Sequence, residues 1–281
     1  MTVHANGAQR ASIHRSRRLT VFALMAALVV SLGAMAIPRE ARAAGIKVVV
    51  VVGPAGSATA DYRSSARTYA NIARSYGASV VEIYSPYATW AKVKPALQGA
   101  KLLIYLGHGN GWPSPYGPFQ RYTKDGLGLN ATYGTSNSNT KYYGEYYIDN
   151  YVQMAPNAVV ILNRLCYASG NSEWGSANPT KSTAIKRVDN YGAGFLRAGA
   201  KAVFAEAIYS TSHHIRQLFT SNMNMNNILM THPNRSNARD FYFTSVRTSW
   251  ARAHLDPPQA GKYWRSVIGN LALTASQWRG S

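Results

Sequence analysis

Two stretches hold residue types that could do chemistry together. Residues 101–113, KLLIYLGHGNGWP, end an apolar run at His108 with a glycine on each side. Residues 157–170, NAVVILNRLCYASG, end a second apolar run near Cys166, the one cysteine in 281 residues. An imidazole within reach of a thiol is a base beside a nucleophile: it favours the thiolate, which attacks a carbonyl carbon. Gly107 and Gly109 let the backbone turn sharply and come close to a substrate. The amide of Gly109, with that of Cys166, is a candidate donor to the oxyanion of acyl transfer. Each residue also has a plainer reading. His108 could be a strand-end histidine bonded to a carbonyl, and Cys166 a small buried hydrophobe. A lone cysteine forms no disulfide within its own chain.

The two residues stand 58 positions apart, so the elements between them must bring them together. IKVVVVVG (46–53) is a continuous β-branched run, the signature of a strand buried on both faces. Tyr62, Ala66, Tyr69, Ala73 and Tyr76 then recur at helical spacing, and Gly77 closes that helix. SVVEIYS (79–85) is a second strand, ATWAKVKPALQG a helix broken or kinked at Pro95, and KLLIYLG (101–107) a third strand. This β-α-β-α-β order predicts a parallel sheet with right-handed crossovers. Residues 110–141 are rich in Gly, Pro, Ser, Asn and Tyr and read as a long functional loop. YYGEYYIDNYVQM reads as a helix, 157–170 as a fourth strand running into Cys166, TAIKRVDNYGAGFLRAGA as a helix, and KAVFAEAIYS (201–210) as a fifth strand. In such sheets ligands bind at the carboxyl ends of the strands, where His108 and Cys166 both fall.

An apolar strand ending in His-Gly, followed by an apolar strand ending in Cys, resembles the caspase-like cysteine peptidases, gingipain and CHAT-type members among them. The motifs are LLIYLGHGNG and VVILNRLCYASG, and the likeness covers roughly residues 46–210. GAGFLRAGAKAVFAE after the cysteine also looks like the helix-strand unit of CHAT-like members. The resemblance implies a three-layer α/β sandwich, a mostly parallel sheet with helices on both faces. It also implies His108 as general base, Cys166 as nucleophile and Gly109 at the oxyanion. Leu165 departs from the small or polar residue that many members carry before the cysteine, which leaves substrate preference open. Arg164 is a candidate to lower the thiol pKa or to meet an acidic substrate group. A pocket for a basic side chain would need an acid, and Glu173 and Glu206 are the best placed candidates.

The chain begins with a basic segment, an apolar run and an Ala-rich A-x-A site, which reads as a secretory signal over residues 1–43. The domain expectation is therefore 1–43 signal peptide, 44–210 catalytic domain and 211–281 a helical extension packed on that domain. The first 43 residues hold six Arg and one Glu, leaving 24 basic and 10 acidic residues and a net charge of +14. A secreted or cell-wall-associated protein of that charge is drawn to anionic polymer. No specific nucleic-acid motif is present, and no transmembrane segment is expected after cleavage. GPAGSAT (53–59) lacks the third glycine of a dinucleotide loop and the G-K-[ST] of a P-loop, so no cofactor is expected. His213, His214, His232 and His254 have no metal-site spacing, so no metal is expected. Two functions follow. One is an exported cysteine hydrolase acting on peptide or protein substrate. The other is a non-catalytic module on the same fold, binding anionic cell-wall polymer through charge and its tyrosine-rich loops.

Overall fold

The computed structural model describes residues 45–280. The signal-peptide reading of residues 1–43 lies outside the described residues. Strands β1 (Lys47–Val52), β2 (Ser79–Tyr84), β3 (Leu102–Leu106), β6 (Ala158–Asn163) and β7 (Ala200–Glu206) pair in parallel, in the order β2-β1-β3-β6-β7. β1, β3 and β6 are buried almost end to end, as strands covered on both faces must be. Alternate residues feed two cores. Val49, Leu103, Tyr105, Val160 and Leu162 face one side, and Val48, Leu102, Ile104, Val159 and Ile161 the other. The first core is closed by helices α2 (Trp90–Leu97), α3 (Glu145–Tyr151) and α4 (Lys181–Arg197). The second is closed by α1 (Thr59–Ser75), α5 (Ser212–Thr220), α6 (Met225–Met230) and α7 (Ala275–Arg279). This is the expected α/β sandwich, a mostly parallel sheet with helices on both faces.

Three features differ from the sequence reading. The stretch 110–141 is not wholly loop: β4 (Leu127–Asn130) and β5 (Thr140–Tyr143) pair antiparallel as a separate two-stranded sheet. Residues 211–281 are not simply a helical extension. They add β10 (Arg265–Gly269), β9 (Arg252–Leu255) and β8 (Phe241–Thr244) antiparallel to the β7 edge, completing eight strands. These strands are short and carry internal polar residues such as His254 and Arg265, which mask the periodicity. β6 also stops at Asn163, so Cys166 stands three residues beyond the strand, in a loop. Among the described residues no helix is long and apolar enough to cross a membrane.

Candidate active site

β3 and β6 are hydrogen-bonded neighbours, and their last residues, Leu106 and Asn163, stand opposite each other. The chain therefore leaves both strands at one edge. His108 follows two residues after the first and Cys166 three after the second. Both line one cavity of about 710 Å³, together with Gly109, Asn110, Lys124 and Glu173. His108 is exposed there and Cys166 half-buried. The loops that carry them are in close backbone contact. A Cβ on Gly109 would run into the carbonyl oxygen of Cys166, and one on Gly111 into Cβ of Tyr167. Only glycine lets these backbones approach so closely.

The His108 loop is tied down by side chains from below. The Tyr105 hydroxyl donates to the carbonyl of Gly128 at 2.7 Å, with that of His108 at 3.1 Å, and accepts from the Gly128 amide at 3.0 Å. Lys124, itself buried, donates to Asn110 Oδ1 at 2.7 Å and to Ser114 Oγ at 3.2 Å. Asn110 Nδ2 donates to the Thr123 carbonyl at 2.9 Å. Asp125 is fully buried and accepts from the Trp112 amide at 2.9 Å, while its Oδ2 has no partner. Desolvation pushes its pKa up to about 8, against that backbone hydrogen bond.

Arg187 joins the two loops. It projects from α4, is buried, and donates through Nε to the Pro113 carbonyl at 2.7 Å. Its Nη1 donates to the Asn171 carbonyl at 2.7 Å and to Ser172 Oγ at 3.1 Å. One guanidinium thus holds the segment after His108 against the segment after Cys166. Its face also lies 4.7 Å from the Tyr167 ring centroid. Sequence reasoning missed this residue, although a signal was present: Ala184, Val188 and Tyr191 form a buried helical stripe, and Arg187 falls inside it.

The thiol is not acid-shifted. Burial raises the Cys166 pKa to about 11, and the Glu173 carboxylate adds to this. A hydrogen bond from the Trp174 backbone and the charge of Arg187 oppose them without prevailing. Arg164, the candidate to lower the thiol pKa, is not among the charges that act on Cys166. It sits past the end of β6 at φ 63°, and its guanidinium lies 5.7 Å from the Tyr62 ring centroid. There it lines a second cavity of about 750 Å³, which Cys166 and Glu173 also border. Its Nε is buried without a partner.

Glu173 borders both cavities and accepts from the Tyr116 hydroxyl at 2.9 Å. Glu206 does not. It is fully buried, lines neither cavity, and is held by Arg265, whose Nε and Nη2 both approach Oε1 at 3.1 Å. Its position late in β7 suggested the active edge, but the buried guanidinium of β10 turns it into an interior partner. Of the histidines without metal-site spacing in the sequence, His214 and His232 come together beside Glu206.

The sheet order and the paired strand ends define an α/β sandwich built on a mostly parallel sheet. The chain is similar to the Arg-specific cysteine proteinase gingipain R, at 12% identity over 82% of this chain and 62% of that one, with a TM-score of 0.34. It is also similar to a secreted C11 cysteine protease from Bacteroides thetaiotaomicron, at 10% identity over 75% of this chain and 66% of that one, with a TM-score of 0.36. The chain thus spans just under two thirds of each matched chain. Likenesses at this level map no residue of one protein onto a residue of the other. No family model and no curated protein matches the chain.

Proposed function

We propose that this protein is an exported cysteine-dependent hydrolase that cuts peptide bonds through Cys166 and His108. The observation that carries the reading is the shared cavity: a thiol and an imidazole from neighbouring parallel strand ends, on loops that Arg187 holds together. In this reading His108 takes the thiol proton as Sγ attacks the substrate carbonyl carbon. The carbonyl oxygen becomes an oxyanion beside the amides of Gly109 and Cys166. The C–N bond then breaks, the amine leaves with the proton from His108, and a thioester remains. Water, deprotonated by His108, attacks the thioester, and the acid and the thiol are released. Because burial holds the thiol protonated, His108 acts during the attack and does not store a preformed ion pair.

A panel of fluorogenic peptides, turned over by the full chain and by Cys166→Ala and His108→Ala, tests this. Turnover lost in both variants supports the dyad; turnover that survives in Cys166→Ala overturns it. The raised thiol pKa also favours a second reading, a wall-binding module on the same fold. Its signature is retention on anionic cell-wall polymer, equal in wild type and Cys166→Ala, with no peptide cut.

A further inference from the structure

One strand over from β6, a cluster of side chains that the proposed chemistry does not use meets in the interior. Glu206 ends β7, His214 lies in the first turn of α5, and His232 follows α6. All three are buried, and one ligand atom from each lies within 4.8 Å of the other two. The rings of His214 and His232 have centroids 5.2 Å apart, and His213 stands 5.3 Å from the second of them.

His214 is the unexplained member. It is 0% exposed, and neither ring nitrogen has a hydrogen-bond partner. Its Nε2 comes to 3.2 Å from Glu206 Oε1, but out of line for a hydrogen bond. Buried polar groups are satisfied in nearly all folded proteins, so one left bare on both sides needs a partner. A neutral imidazole offers a lone pair to a metal.

The surroundings supply what such a site requires. Ligating carboxylates are themselves hydrogen-bonded, and ligating histidines are oriented through their other nitrogen. Arg265 donates to Glu206 and, through Nη1, to Asp256 at 3.0 Å. His232 Nε2 pairs with the Ser210 carbonyl at 3.0 Å, and Nδ1 accepts from the Asn234 amide at 3.0 Å. One of these two bonds gives way to the ion. Glu206 and Asp256 thus bring two carboxyl groups to one guanidinium.

We propose that Glu206, His214 and His232 bind a divalent transition metal of the zinc type, through two imidazole nitrogens and a carboxylate oxygen. Two imidazoles and one carboxylate suit zinc, with cobalt as its spectroscopic substitute, and not the oxygen-only shells of calcium or magnesium. The ion would also brace the approach to Cys166. The Glu206 carbonyl accepts from the Arg164 amide at 2.8 Å and from Asn163 Nδ2 at 3.0 Å, so a fixed Glu206 fixes the chain two residues before the cysteine.

The test is zinc binding by the untagged full chain after chelator treatment, followed by calorimetry and by competition with a chromogenic chelator. Cobalt absorption in the visible range reports the coordination. The expected result is one equivalent in wild type and in Cys166→Ser, which separates this site from a metal caught by the thiol. His214→Met and His232→Met should weaken binding by roughly 100-fold or more, beyond the ~10–100-fold typical of changes outside the ligand set. Should either variant fail to fold by circular dichroism, Glu206→Gln and the zinc-dependent rise in the melting midpoint of wild type take its place. The proposal is overturned if wild type takes up no equivalent and zinc leaves its midpoint unchanged. It is equally overturned if the His214 and His232 variants bind zinc as wild type does.

Discussion

Glu173→Gln should make Cys166 more reactive, and the size of the effect can be worked out. With the thiol pKa near 11, about one molecule in 1,000 carries a thiolate at pH 8, against roughly one in four for a free cysteine of pKa ~8.5. That is a deficit of about 250-fold. A more basic thiolate is intrinsically more nucleophilic, with a Brønsted slope of about 0.4–0.5, which returns roughly tenfold. Iodoacetamide should therefore label Cys166 about 20-fold more slowly than free cysteine at pH 8. Glu173 is the second cause of the raised pKa, after burial. One carboxylate bordering a partly wet cavity acts at an effective dielectric of about 20 or more and contributes roughly 1–2 kcal/mol, about one pH unit. Removing its charge multiplies the thiolate about tenfold and costs about threefold in nucleophilicity, so labelling at pH 8 should rise about threefold. The midpoint of the rate-against-pH profile should fall with it. Arg187→Met, which removes the opposing charge, should move the midpoint the other way. The assay is pseudo-first-order alkylation followed by mass spectrometry from about pH 6 to 11.5, with rates compared at fixed pH where the plateau is not reached. A Glu173→Gln profile that superimposes on wild type, or moves upward, refutes this electrostatic account. So does wild-type labelling faster than free cysteine at pH 6, because that requires a preformed thiolate.

Three other outcomes are expected. Arg187→Met leaves the carbonyls of Pro113 and Asn171 without their charged donor and should cost about 3 kcal/mol or more in urea unfolding; an unchanged midpoint would mean that the two loops do not depend on it. Gly109→Ala forces a methyl group into the Cys166 carbonyl, so it should destabilise by about 1–3 kcal/mol and lower kcat/KM on any peptide substrate by roughly 100-fold, the usual cost of misplacing a reacting group by ~1 Å. Asp125 has a folded pKa of about 8 against about 4 when unfolded. The folded state alone holds this proton between those values, so stability is full below about pH 4 and is lost as pH rises to 8, by up to ~1.4 kcal/mol per pH unit. Asp125→Asn removes that contribution, and its urea midpoint should gain on wild type steadily from pH 5 to pH 8; a constant difference across that range refutes the assignment.

The sequence was readable where one physical cause dominates. The runs that became β1, β3 and β6 are apolar because both faces are covered, and that leaves a continuous signature. His108 and Cys166 stood out because each interrupts such a run. β4 and β5, reading LGLN and TKYY, are four residues long with polar interruptions, and nothing local separates them from the surrounding loop. β10 was hidden by Arg265, a charge that a buried strand tolerates only when acids from elsewhere meet it. The same pairing misplaced Glu206. Its strand position was read correctly, but the partner that draws it inward lies 59 residues away. Arg164 failed through dihedral angles: a strand continuing to Cys166 would have put both on one face, whereas the chain turns left-handed at residue 164.

That turn bears on what the loop is for. Arg164 at φ 63° and Tyr167 at φ 73° both occupy the left-handed region, on either side of Leu165 and Cys166. Non-glycine residues there cost of order 1–3 kcal/mol each and persist only where the surroundings impose the shape. Here they do. The Arg164 amide is fixed to the Glu206 carbonyl, and the Tyr167 carbonyl accepts from the Gly170 amide at 2.9 Å. Ser169 donates to the Tyr263 carbonyl at 2.7 Å, and the Tyr167 ring lies under Arg187. A cysteine needed merely to fill space would sit as well in the strand, without two strained neighbours. What the strain achieves is to lift Cys166 off the sheet and set its side chain between two cavities, with His108 bordering one and Arg164 the other. A chain laid across that edge would pass over the sulfur with room for side chains on both sides. This arrangement is what the peptide-cutting reading proposed above asks of its nucleophile.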